Sequence, residues 1–143
     1  MQRSVAWLFI VVLSGALVRG DSESSRHGIS ADLKIFPQAT PKEALASVLR
    51  AVETKRIDYL LAQLADPDWV DNRVDAEGFK ELVQETTGKL DPPAVKQLQR
   101  FTMEGEIETL DTRAVVRHKT VKDRVVRLRR IDKRWYLMHT NRP

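Results

Sequence analysis

The hydrophobic pattern changes period once, near Glu104, and that change restricts the fold more than any other feature of the chain. Before it, apolar residues recur at i, i+3, i+4 and i+7: Leu45, Val48, Leu49 and Val52, then Ile57, Leu60, Leu61 and Leu64. Phe79, Leu82 and Val83 follow at the same spacing, and then Val95, Leu98 and Phe101, so each set lies on one side of an α-helix. After Glu104 the alternation is by two. Ile107 and Thr109 share one parity, as do Ala114, Val116 and His118, Val126 and Leu128, and Trp135, Leu137 and His139. Turns are placed at Thr120 to Asp123 and at Asp132-Lys133, which makes the strands consecutive and antiparallel. Helices first and strands last predict an α+β domain, its N-terminal helices packed on one face of a curved, mainly antiparallel C-terminal sheet.

Local signals set the helix limits. Thr40-Pro41-Lys42-Glu43 reads as a capping box, with Thr40 as N-cap, Pro41 at the first helical position and Glu43 reaching back to the Thr40 amide. The second helix stops at Asp66-Pro67, and Asp68 to Val74 reads as an irregular link containing Trp69. Asp75 is placed to cap a third helix ending at Gly88, and Asp91-Pro92 to open a fourth.

Residues 1–20 read as an export signal. Arg3 precedes the apolar run Ala6 to Val18, and Val18 and Gly20 are small residues suited to a cut before Asp21. A spanning helix needs about 20 apolar residues, so this run favours cleavage over retention as an anchor. Residues 21–39, rich in Ser and charge and without a period, are expected to form a flexible tether that docks by Ile35 and Phe36. Residues 40–140 are then one domain, periplasmic or secreted. The absence of cysteine excludes disulfides, thiol catalysis, cysteine-ligated zinc and lipidation at the new N-terminus.

Charge is uneven along the chain. The formal net charge is +4, but from Glu104 onward 11 Lys/Arg face 6 Asp/Glu, so the sheet region is the basic part. Arg113, Arg117, Arg127, Arg129 and Arg134, with Lys119, take the outward parity, among Val115, Val125, Tyr136 and Met138. Three roles fit this face: a solvated surface, a footprint for anionic surfaces, and a homodimer interface in which Tyr136 and Met138 supply the attraction and Arg117, Arg127 and Arg129 the rim. Export argues against a nucleic-acid partner, and no membrane span is expected after signal cleavage.

The opening Thr40-Pro41-Lys42-Glu43-Ala44-Leu45, the paired helices around Ile57-Asp58-Tyr59-Leu60-Leu61 and the closing Ile131-Asp132-Lys133-Arg134-Trp135-Tyr136-Leu137 together resemble the nuclear transport factor two-like superfamily. This is the cystatin-like cone shared with polyketide cyclases and ketosteroid isomerases. Members often carry Asp-Gly-X-Trp in the last turn, where this chain has Lys133. The resemblance implies a pocket between helices and sheet, used by some members for acid-base chemistry and by many for binding alone. The inward Asp and the Tyr/Asp oxyanion pair of the isomerases do not map onto this chain residue by residue.

Several residues are candidates for a site. His118 and His139 share the inner parity and would make an acid-base pair; the plainer reading leaves each near a strand end, half exposed and without a partner. Tyr59, Trp69, Phe79 and Trp135 would line a pocket for a small apolar ligand, although Trp135 and Phe79 also read as core. Asp66, Asp68, Asp71 and Asp75 invite a calcium site but lack the loop spacing one needs. No catalytic residue, metal site or cofactor is assigned. The chain reads as an exported, non-catalytic binding or interaction module; the alternatives are a small isomerase or hydratase using Tyr59 and a histidine, and binding of anionic surfaces through the basic sheet.

Overall fold

The Thr40 hydroxyl accepts the Glu43 amide at 3.1 Å, and the Glu43 carboxylate accepts the Ala39 amide at 2.9 Å rather than that of Thr40. This capping box starts helix α1, Pro41–Glu53. The structure, a computed structural model, describes residues 24–139; the expected export signal and the expected cleavage before Asp21 lie outside them. After α1 come a single turn α2, Ile57–Tyr59, and a π-helical turn, Leu60–Leu64, closed by the Ala65 amide on the Leu60 carbonyl at 2.8 Å. Then follow α3, Pro67–Glu77, α4, Phe79–Lys89, and α5, Pro92–Glu104.

Three expectations are corrected here. The irregular link around Trp69 is the body of α3, whose cap is Asp66, holding the Asp68 amide at 3.1 Å. Asp75 therefore sits inside α3, and the break before α4 falls at Gly78, whose φ of +91° suits glycine. Gly88 is an ordinary helical residue one position before the end of α4. Asp91 does cap α5, its carboxylate accepting the Ala94 amide at 2.9 Å.

The main sheet runs β3 (Glu106–Leu110), β4 (Arg113–His118), β5 (Val121–Ile131) and β6 (Arg134–Leu137) in that spatial order, every pair antiparallel. Register places Ala114, Leu128 and Leu137 side by side, and Val116 beside Val126. These residues, with Val121 and Trp135, pack against Ala44 and Leu45 of α1 and Phe101 of α5. The helices thus cover one face of the sheet, as the parity predicts. Gly105 permits the close join, since a Cβ there would collide with the Phe101 carbonyl and the Val116 side chain. The β4–β5 turn is shorter than expected, because β5 already starts at Val121, and the surplus residues form a bulge opposite Arg117. Strand β3 is exposed along its whole length, Ile107 and Thr109 included, since the core beneath the helices draws on β4, β5 and β6 only.

Residues 24–39, expected as a tether, are a packed segment. Ser25–Arg26 (β1) and Ile29–Ser30 (β2) form a hairpin whose two turn residues, His27 and Gly28, both have positive φ, at 51° and 78°. A two-residue turn with that handedness matches the twist of paired strands. Phe36 is buried and stacks on Tyr59 with ring centroids 4.2 Å apart, whereas Ile35 stays 49% exposed. The segment covers the side of the π turn that would otherwise meet water, which is why Leu60 through Leu64 are all buried, Gln63 among them.

Candidate functional site

Gln63 is a polar residue with no solvent exposure, and the surrounding groups satisfy it fully. Its side-chain amide donates to the Ser24 carbonyl at 2.9 Å and the Ile29 carbonyl at 2.8 Å, while its oxygen accepts from Arg134 at 3.0 Å. Gln38 works in parallel: it donates to the Gln63 and Trp135 carbonyls at 3.1 and 2.8 Å, and its oxygen takes two bonds from the Arg134 guanidinium. Burying such groups is tolerable because every donor has an acceptor. Sequence reading missed both glutamines. The His27-Gly28 turn signal would have located the hairpin that Gln63 holds.

The residues expected to line a pocket are engaged in packing. Tyr59 is buried, and its hydroxyl accepts the Asp32 amide at 2.8 Å; burial pushes its ionisation upward against the opposing pull of that hydrogen bond. Trp135 lies in the core beneath the helices. Trp69 stacks flat on His139, centroids 4.3 Å apart, with the Arg73 guanidinium 5.5 Å from its ring. Phe79 stacks on His27 at 4.7 Å. An apolar groove does open between Val52, Ile57, Val83 and Val95, but neither Tyr59 nor Trp69 lines it.

The two histidines have separate neighbours. His118 is buried, not half exposed, and has partners on both ring nitrogens. Its Nδ1 accepts the Thr120 amide at 3.1 Å and lies 2.7 Å from the Thr120 hydroxyl, so Nε2 carries the ring proton and donates to Glu104 at 2.9 Å. That bond is the main reason the Glu104 carboxyl is held below the usual carboxylate range. Exposed His139 titrates below the ordinary histidine value, through partial burial first and the charges of Lys89 and Arg73 second.

The outer sheet face is the basic one. Arg113 and Arg129 are direct cross-strand partners, and Arg129 is also opposite Tyr136. Arg129 reaches the Asp66 carboxylate at 3.0 Å and that of Asp68 at 2.7 Å. Arg26, from the hairpin, pairs with Asp71 at 2.6 Å. Arg117 pairs with Glu108 at 3.2 Å, and Arg127, half-buried, faces the same side with its backbone carbonyl taking the Met138 amide. Tyr136 is only 8% exposed and lies under the Arg134 guanidinium, 5.3 Å from its ring centre, while Met138 is half-buried with Arg113 on its sulfur at 3.3 Å. Tyr136, expected on the outer surface, is therefore already covered by its own chain.

Between the end of the sheet and the start of α3 lies an open cleft of about 520 Å³, lined by Arg26, Arg113, Arg129 and Arg130 with Asp68 and Asp71. Asp66, Asp68 and Asp71 are thus partners of arginines, and among the described residues no group of three or more acidic or histidine side chains is placed to hold a metal ion. No described helix is long and apolar enough to cross a membrane. No protein-family profile, curated protein or solved structure matches the chain, so the chemistry of this cleft and of its neighbours carries the functional argument.

Proposed function

We propose that the chain is an exported, non-catalytic binding module of the nuclear transport factor two-like type, which meets its ligand with the basic outer face of the sheet. The observation that carries this reading is the contrast between two surfaces. On the inner side Tyr59, Trp135 and His118 are all taken up by packing or by hydrogen bonds within the chain. Beside the outer face Arg26, Arg113 and Arg129, from three different segments, line an open cleft. Acid-base catalysis of the isomerase kind needs a free hydroxyl donor and an inward base at one point. His118 does not supply that base, because its Nδ1 takes the Thr120 amide and its Nε2 bonds Glu104, while the buried Tyr59 oxygen accepts the Asp32 amide.

The test is an amide chemical-shift survey of the folded protein against a panel of small carboxylates, phosphates and apolar ketones. Shifts centred on Arg113 and Arg129 with the anions are the expected result. Saturable binding of a ketone with shifts at Tyr59 and Trp135 would overturn the reading in favour of a pocket enzyme.

A further inference from the structure

Five cations without an ion pair among the described residues gather where α5 crosses the β4–β5 turn, and we infer that this end of the molecule docks on an anionic phospholipid layer. The cleft lies at the other end of β4, so this is a second surface, independent of the binding-module reading. Helical spacing builds half of it. In α5, Val95, Leu98 and Phe101 turn onto the core, so Lys96, Arg100 and Met103, at i, i+4 and i+7, form the opposite stripe, and all three are exposed. The sheet supplies the rest. Exposed Lys119 lies in the turn after β4, and exposed Lys122 and Arg124 stand in the bulged start of β5. Two contacts bring the parts together: Arg124 Nη1 donates to Gln97 Oε1 of α5 at 3.3 Å, and Glu104, at the end of α5, accepts from His118 Nε2 at 2.9 Å. That second bond is the main cause of the low Glu104 ionisation, and the charges of Lys119 and Arg100 add to it, so both cations stand around the same carboxylate.

Charge and apolar exposure together select the partner. Residues 92–104 and 118–124 carry five Lys/Arg against Glu104 and Asp123, a surplus of three. On the outer face, by contrast, Arg117 and Arg129 reach Glu108, Asp66 and Asp68. Glu53 of α1 meets α5 on its flank, at Gln99, and Glu106 and Glu108 lie across the sheet beside Arg117. A surplus of this kind attracts polyanions in general. Met103 narrows the choice, because its side chain is 80% exposed on the same stripe as Lys96 and Arg100. An acidic polymer gives a thioether nothing to bury against. A lipid layer takes the cations at its phosphates and the thioether at the acyl boundary beneath them. The aliphatic stems of Lys and Arg let the charged heads stay at headgroup level as the helix approaches.

The experiment is co-sedimentation of the full chain with phosphatidylcholine vesicles containing phosphatidylglycerol, with pure phosphatidylcholine vesicles as the control. Tighter binding to the anionic vesicles, weakening as salt is added, is expected. Each Lys or Arg near the surface is worth about fivefold in affinity, so Lys96→Gln/Arg100→Gln and Lys119→Gln/Lys122→Gln should each weaken it about 20-fold. Lys80→Gln/Lys133→Gln removes the same charge from the start of α4 and from beyond the far end of β5, and should bind as wild type does. Unchanged melting of the three double variants shows that they remain folded. Met103→Gln should weaken binding to the anionic vesicles and leave binding to polyglutamate unaltered. Equal loss in all three double variants overturns the inference, as does equal binding to neutral and anionic vesicles, the result that insertion of the apolar run at residues 6–18 would give. Polyglutamate bound as tightly as the vesicles, with neither affected by Met103→Gln, would make the partner an acidic polymer and overturn the lipid assignment. The chemical-shift survey reads Arg113 and Arg129 at the other end of the sheet, so either proposal can fail while the other stands.

Discussion

A single tryptophan joins the helices to the sheet. Trp135 packs with Leu45, Phe101 and Leu128 in the core under α1, and its backbone amide bonds the Gln38 carbonyl at 2.9 Å. Trp135→Ala should cost about 3–5 kcal/mol, read from urea unfolding, since it removes a large buried ring and leaves a cavity. A variant as stable as wild type would show that the ring carries little of the packing. His139 offers a pH test. Its folded value is depressed, so its contribution to stability is present above the unfolded value of about 6.5 and is lost as pH falls through the lower folded value. An NMR titration should place the His139 midpoint below that of a free histidine, and Trp69→Ala, which uncovers the ring, should move it upward. A midpoint at or above the free value would contradict the stacked, partly desolvated geometry.

At the scale of elements, the π turn Leu60–Leu64 is where the chain's separate parts meet. Its Gln63 holds the β1–β2 hairpin through two carbonyls, and the following residues extend the sheet, the Asp66 amide bonding the Leu137 carbonyl at 2.7 Å beside β6. An i+5 turn of this kind is rare, and it occurs mostly as a single turn within helical segments. Gln63→Leu removes three hydrogen bonds, to the Ser24 and Ile29 carbonyls and from Arg134, each worth about 0.5–1.5 kcal/mol. The expected readout is local. Hydrogen exchange at the Ala31 amide, which bonds Ser24, should accelerate far more than exchange in β4 and β5. Uniform acceleration would mean that the hairpin is integral to one cooperative unit. A second element, α3, is tied to α4 by Arg73, which bridges Glu77 at 2.7 Å and Glu85 at 2.6 Å.

For the whole molecule, the packed strap at residues 24–39 bears on where processing should stop. Export with cleavage before Asp21 would leave Ser24 and its contacts to Gln63 and Arg134 intact. N-terminal mass analysis of the exported protein is expected to find a start near Asp21, and an intact Met1 in the mature fraction would refute cleavage. A chain started at Thr40 should unfold at lower urea concentration than one started at Asp21, because it loses Phe36, Gln38 and the Asp32 cover of Tyr59. Equal midpoints would restore the loose-tether expectation. The change of period at Glu104, the Thr40 and Asp91 caps and the Asp132-Lys133 turn were all legible in the sequence, because each depends on residues a few positions apart. What the tertiary structure alone decided is non-local. Arg134 and Gln38 are 96 positions apart, and Arg129 and Asp68 are 61 apart. No periodicity records such pairs, so Gln38 and Gln63 passed as ordinary polar residues and Tyr136 passed as a surface residue. The arginines were visible as a basic stripe, but which of them find carboxylates and which remain uncompensated depends on where α3 and the hairpin come to rest against the sheet, and that is fixed by packing over distances the linear pattern does not span.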